Sequence, residues 1–181
     1  ARPLGFLLVA AFALSLQAAA GAEEDSLSRG AVEHRANAIE AKVIAWRREI
    51  HQNPELGNRE FQTAKLVSEH LKGLGMEVRT GVAHTGVVAV LRGGRPGPVV
   101  ALRADMDALP IKELRSVPYR SQNPGVMHAC GHDGHTTMLL GAAALLAQEQ
   151  DLPAPVRLIF QPAEEKGTGA ITMIKEGAVD R

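Results

Sequence analysis

Aromatic residues, and an excess of charge of either sign, are what this 181-residue sequence lacks. It has one tryptophan, one tyrosine and four phenylalanines, too few to form the platforms on which proteins stack unpaired bases. Its 20 Lys and Arg residues balance 20 Asp and Glu residues, and no basic run stands out. We therefore expect no nucleic acid partner.

Long apolar runs are also scarce, and the one that stands out lies at the N-terminus. Residues 4–16 are almost wholly apolar, follow Arg2 and lead into the small residues 18–22. This pattern predicts a secretory signal peptide over residues 1–22 and an exported, periplasmic or secreted location. The run is shorter than the roughly 20 apolar residues of a spanning helix, so no stable membrane insertion is expected. An uncleaved anchor or a buried helix is the alternative.

Cysteine is the third scarcity, since Cys130 is the only one. It has no partner for a disulfide within the chain, and a lone cysteine in an exported protein is more easily explained as a metal ligand.

The remaining residues, 23–181, alternate between helical and extended patterns. Apolar spacing and Gly or Pro punctuation predict an α/β sandwich with a mixed sheet. The second and third strands are expected to form a hairpin. The predicted helices cover residues 27–51, 60–74, 132–150 and 170–176, and the predicted strands cover 76–80, 86–92, 98–104 and 156–161.

Polar residues are concentrated where a loop enters the helix predicted from residue 132. Cys130 and His132 are two residues apart, which in an extended backbone directs both side chains to one side and makes a ligand pair. Two further clusters follow predicted strands, where open α/β sheets place their ligands. The three clusters are Arg103, Asp105 and Asp107; Cys130, His132, Asp133 and His135; and Glu164 and Glu165.

A metal site explains this combination, because thiolate, imidazole and carboxylate are ligands of first-row divalent ions. Adjacent glutamates suit such a site, since one can bind metal while the other acts as general base. Each cluster also has a structural alternative. Taken alone, Asp105 and Asp107 are more typical of turns, and Glu164 and Glu165 are more typical of a solvated face. His34 and His70 are interpreted as surface histidines, and His51 and His84 lie outside any cluster.

Five segments in this order resemble the M20 metallopeptidase family, and within it the amidohydrolase branch with hippurate hydrolases, indole-3-acetyl-amino-acid hydrolases and N-acyl-amino-acid amidohydrolases or carboxypeptidases. The resemblance covers about residues 43–180. The segments are RREIHQNPELGNREFQTAKLV, ALRADMDALPI, MHACGHDGHTTMLLGAA, LIFQPAEE and MIKEGAVD.

The resemblance implies a fold of the zinc-dependent exopeptidase type and two divalent metal ions, zinc or manganese, with cobalt or nickel also acceptable. It implies that Cys130, His132 and Glu165 are metal ligands, with the Cys130 thiolate bridging. It implies that Glu164 is the general base and that Asp105 orients a ligand or the base. Arg103 stands where other branches of the family carry histidine.

The same resemblance implies further ligand histidines and a dimerisation domain outside these residues. The chain is thus expected to be the N-terminal part of the catalytic domain, inactive by itself, from a protein that is a homodimer or homo-oligomer at full length.

The predicted function is hydrolysis of the amide bond of N-acyl-amino acids or short peptides by a metal-activated water. A thiol hydrolase with Cys130 as nucleophile and His132 or His135 as base is one alternative. An exported metal-binding or peptide-binding module without turnover is another.

Overall fold

A computed structural model describes residues 28–149 and 151–180 of the chain. The predicted signal peptide, residues 1–22, lies outside the described residues. The chain divides into two compact units, residues 1–37 and 38–181. Throughout the described ranges, no helix combines the length and apolarity that crossing a membrane requires.

Four helices lie close to their predicted positions. Helix α1 ends at the residue before Asn53-Pro54, since the residue preceding proline disfavours helical geometry. Helix α3 begins after Gly131, whose φ of 98° turns the chain into the helix, and ends at Leu146, where the apolar spacing stops. The helices are α1 (Arg29–Gln52), α2 (Phe61–Gly73), α3 (His132–Leu146) and α4 (Gly169–Lys175).

The strands form a four-stranded mixed sheet in the order β1-β2-β4-β3. Strand β2 pairs antiparallel with β1 and with β4, whereas β3 pairs parallel with β4. The predicted α/β class with a mixed sheet is confirmed. The strands are β1 (Glu77–Val82), β2 (Gly86–Leu91), β3 (Val100–Asp105) and β4 (Val156–Gln161).

The predicted hairpin between the second and third strands is wrong. Strand β4 lies between β2 and β3, and the hairpin is formed by β1 and β2 instead. The connection after β2 passes close to the residues before β4. A Cβ on Gly93 would lie only 2.6 Å from the carbonyl carbon of Ala154. Strand β4 is almost wholly buried, and a strand that is apolar on both faces is stable between two others.

Side chains alternate across the sheet and form a core on each face. Val87, Leu158 and Phe160 lie in the larger core with α2 and α3. Val88 and Ile159, one residue out of step, lie in the smaller core with Met173 of α4. The period of two along each strand therefore separates the two helical layers.

His70 of α2 is half-buried and was wrongly predicted as a surface histidine. Its ring centroid lies 4.4 Å from that of Trp46, and burial lowers its pKa. His34 is exposed, as predicted.

The parallel pair β3 and β4 positions the polar clusters. Asp105 and Gln161 end these strands in register, and the Met106 N–H donates to the Gln161 carbonyl at 3.0 Å. Thr136 in the first turns of α3 donates its hydroxyl to the Asp105 carbonyl at 2.8 Å. The ends of two strands and the start of one helix thus lie at one edge of the sheet.

A substitution at Gly169 tests how tightly the loop that follows β4 is packed. A Cβ there would lie 1.6 Å from the Pro162 carbonyl oxygen, so Gly169→Ala must displace backbone. We expect a loss of about 1–3 kcal/mol in the free energy of unfolding, the usual cost of overpacking, measured by urea unfolding of the whole protein.

Gly73→Ala is the matched control, because nothing lies within 4 Å of a Cβ at this exposed end of α2. Alanine in a helix is favoured by about 0.5–1 kcal/mol over glycine, so this variant should be slightly more stable. Equal unfolding midpoints for the two variants would contradict the predicted packing.

Candidate metal centre

His132 is the centre of the polar clusters. Its Nδ1–H donates to the Asp107 carbonyl oxygen at 2.8 Å. Because a carbonyl can only accept, the neutral ring has its lone pair on Nε2. Three carboxylates face Nε2 at distances too long for hydrogen bonds. They are Asp105 Oδ1 at 3.6 Å, Glu164 Oε2 at 3.7 Å and Glu165 Oε1 at 3.9 Å.

Two sets of potential ligands share His132. One is Cys130, His132 and Glu165, and the other is Asp105, His132 and His135; within each set the ligand atoms lie within 4.8 Å of one another. Thiol, imidazole and carboxylate suit a first-row divalent cation. A histidine whose second nitrogen is fixed by a backbone carbonyl is the usual arrangement of a metal ligand. The residues present therefore fit a metal ion.

The three predicted ligands, Cys130, His132 and Glu165, are thus brought together by the fold. Cys130 is exposed, and the Glu165 side chain is 25% exposed. Their metal-binding role stays a prediction.

Glu164 lies beside the ligand sets, as the predicted general base should. Its side chain is 41% exposed, so a carboxylate oxygen can reach water and substrate while the other faces His132. Both adjacent glutamates thus face His132, and the assignment of base and ligand between them stays a prediction.

Asp105 lies closer to the ligands than its predicted orienting role requires. It accepts a hydrogen bond from His135 Nδ1 at 2.7 Å and forms an ion pair with Arg103 at 2.7 Å. Arg103 also donates to the Gln161 side chain, at 2.7 and 2.9 Å. Asp105 is thus placed either to orient His135 or to bind a cation with it.

Asp107 organises the site, although the sequence analysis gave it no specific role. Its Oδ1 accepts the Glu164 N–H at 3.0 Å and its Oδ2 accepts the Glu165 N–H at 3.1 Å, while Oδ1 lies 3.4 Å from His132 Nδ1. Burial alone would raise the pKa of Asp107, but hydrogen bonds from His132 and the two amides lower it. The position of Asp105 and Asp107 after a predicted strand does not show which of the two binds the glutamate backbone.

A second buried network lies around His51, which the sequence analysis placed outside any cluster. Its Nδ1 lies 2.9 Å from Asp133 Oδ2 and its Nε2 lies 3.3 Å from Glu113 Oε1. Asp133 also accepts from Arg47 at 3.1 Å. Asp133 was grouped with Cys130 and His132, but its side chain faces α1 instead, because successive residues at a helix start point in different directions. The motif containing His51 gave no sign of this pairing.

The carboxylates set the protonation of the candidate ligands. Burial alone would lower the pKa of His132, but hydrogen bonding to Asp107 and the charge of Asp105 outweigh it and raise the pKa to about 9. Burial, hydrogen bonding to Glu165 and the nearby carboxylate charges raise the pKa of the Cys130 thiol. The cluster therefore holds an excess of negative charge that a divalent cation would neutralise, and a cation must displace protons to bind.

Comparison with known proteins shows what the chain is similar to. The model of peptidase family M20/M25/M40 matches residues 101–181. Thermostable carboxypeptidase 2 of Saccharolobus solfataricus is 54% identical over 146 residues, which are 78% of this chain and 37% of that protein. Hippurate hydrolase of Campylobacter jejuni is 52% identical over 135 residues, 75% of this chain and 35% of that protein. The chain thus spans little more than a third of these relatives.

A solved structure extends the likeness to the fold. The crystal structure of a dinuclear metal-binding peptidase of the M20 family from Bacillus subtilis superposes with a TM-score of 0.76 at 42% identity, over 80% of this chain and 41% of that one. The resemblance inferred from the five sequence segments is confirmed. The chain is thus similar to members of the M20/M25/M40 family of peptidases, whose model matches its residues 101–181.

Proposed function

We propose that the whole protein is a metal-dependent hydrolase that cleaves the amide bond of N-acyl-amino acids or short peptides. The observation that carries this proposal is the position of the Nε2 atom of buried His132, which faces three carboxylates and lies beside Cys130. The relatives named as a carboxypeptidase and a hippurate hydrolase support hydrolysis of an amide bond next to an amino acid.

Cys130, His132 and Glu165 would hold a divalent ion, and the bridging position predicted for Cys130 would let the thiolate serve a second one. Two ions, zinc or manganese with cobalt or nickel acceptable, agree with the donor set. When bound, such ions polarise a carbonyl and lower the pKa of water toward neutrality.

Glu164 is the proposed general base. Its carboxylate takes a proton from the attacking water, the water oxygen bonds to the amide carbon, and the C–N bond breaks as Glu164 returns the proton to the leaving amine. Asp107 keeps this carboxylate in place by binding the backbone N–H groups of Glu164 and Glu165. No acyl-enzyme is required.

We further propose that residues 1–22 direct export to the periplasm or outside the cell, without stable membrane insertion. Residues 23–181 are then part of a catalytic domain in a homodimer or homo-oligomer. The composition of the N-terminal segment and the share of the relatives that the chain spans support these assignments.

The alternative thiol hydrolase is disfavoured by the charge around Cys130. A nucleophilic cysteine needs a lowered pKa, whereas burial and the neighbouring carboxylates raise the pKa of this thiol.

Metal dependence is tested with a panel of N-acyl-amino acids, hippurate included, and the whole protein. We expect hydrolysis to vanish after EDTA and to return with zinc or manganese, because the ions would polarise the carbonyl and activate the water. Activity that survives chelation and is abolished by thiol alkylation would instead identify Cys130 as nucleophile. Bound metal without hydrolysis in any state would favour the binding module.

The two adjacent glutamates are tested by the same substitution. We expect Glu164→Gln to lower kcat by about 10²–10⁴-fold, the usual contribution of a general base, with metal content unchanged. Glu165→Gln should instead lower metal content, because it removes a charged ligand. Metal analysis beside steady-state kinetics measures both, and a Glu164→Gln protein with full turnover would refute the assignment.

A further inference from the structure

Three successive backbone N–H groups after β4 are each bound by a buried carboxylate. The Ala163 N–H donates to Glu60 Oε1 at 2.8 Å, and the next two N–H groups donate to Asp107 at 3.0 and 3.1 Å. Asp107 belongs to the site already described. Glu60 lies in none of the polar clusters, and its bond to Ala163 has no part in the function proposed so far.

Glu60 is fully buried at the start of α2. Its second oxygen, Oε2, accepts the Thr85 hydroxyl from the turn between β1 and β2. Burying a carboxylate is costly, and an apolar side chain in its place is often as stable. Its hydrogen bonds join three separate segments: the start of α2, the β1–β2 turn and the loop that carries Glu164.

Ala163 needs such an anchor, because its backbone is in an unfavourable conformation. Its φ is 49°, in the left-handed region that costs a residue with a Cβ about 1–2 kcal/mol. Gly57 permits the close packing around it, since a Cβ on Gly57 would lie 3.0 Å from Ala163 Cα and 3.1 Å from Asp107 Oδ2. Strained backbone persists only where surrounding contacts determine it.

We propose that Glu60 is a positioning residue for the hydrolysis proposed above, on which this inference rests. Its carboxylate holds Ala163 in the left-handed conformation, and this directs Glu164 toward water and Glu165 toward Cys130 and His132. Asp107 cannot do this alone, because it binds the two glutamate amides but not the residue at which the chain turns. Reacting groups displaced by about 1 Å can lose about 10²-fold in rate.

The test compares Glu60→Leu and Glu60→Gln in the whole protein. We expect Glu60→Leu to lower kcat on the order of 10²-fold with KM little changed, because the substrate contacts stay. Glu60→Gln should lower kcat roughly tenfold, since a neutral amide oxygen can still accept the Ala163 N–H but more weakly.

Glu55→Gln is the matched control. Glu55 also accepts hydrogen bonds from two backbone N–H groups, those of Gln62 at 3.0 Å and Thr63 at 2.9 Å. These belong to α2 and not to the glutamate loop, the loop after β4 that carries Glu164 and Glu165. Its kcat should equal that of the unchanged protein. Thermal unfolding of each variant separates lost turnover from lost folding, and if Glu60→Leu does not fold, Glu60→Gln decides the question.

Cobalt(II) absorption provides a second measurement that does not depend on turnover. Loss of the Glu60 anchor should shift the visible cobalt bands of both Glu60 variants, because Glu165 moves relative to Cys130, while Glu55→Gln should leave them unchanged. Folded Glu60 variants with unchanged kcat and unchanged bands would overturn the positioning role. A protein that hydrolyses nothing would refute the proposed function alone, since the cobalt bands would still report on Glu60.

Discussion

The parallel pairing of β3 with β4 is the constraint on which the site depends. Because the two strands run in the same direction and in register, Asp105 and Gln161 end together. The chain leaves β3 toward Asp107 and leaves β4 toward Glu164, so residues far apart in sequence emerge at one edge of the sheet. Open α/β sheets bind ligands at this edge for the same reason. Helix α3 completes the arrangement, since Thr136 ties its first turns to the end of β3.

Buried carboxylates then fix the conformation of the loop that follows β4. A buried backbone N–H must find an acceptor, and the loop after β4 has no strand partner to supply one. Asp107 and Glu60 provide the acceptors from two other segments. The loop conformation, including the left-handed Ala163, is therefore determined by residues outside it.

Electrostatic repulsion between the carboxylates of the site would favour the binding of a cation. Carboxylates of Asp105, Glu164 and Glu165 surround one imidazole nitrogen at 3.6 to 3.9 Å. Carboxylates gathered around one atom repel each other unless a counter-charge is present. Against the effect of burial, hydrogen bonding to Asp107 and the charge of Asp105 raise the pKa of His132 to about 9. Burial and the charges of all three carboxylates raise the pKa of Cys130 above its ordinary value. A protein can hold such a cluster when a metal ion neutralises it, which links the structure of the site to the proposed hydrolysis.

Local patterns in the sequence determined the elements and the chemistry. Helical spacing and punctuation by Gly and Pro located the four helices and four strands of the described residues, because these signals depend on neighbouring residues. Ligand types at close spacing identified Cys130, His132 and the glutamate pair as the candidate site. Only the tertiary structure decided the strand order, since pairing β4 between β2 and β3 depends on burial of both faces of one strand. It also decided that Asp107 and Glu60 hold the glutamate loop and that Asp133 turns to His51, because these contacts join residues far apart in the chain and no local pattern encodes them.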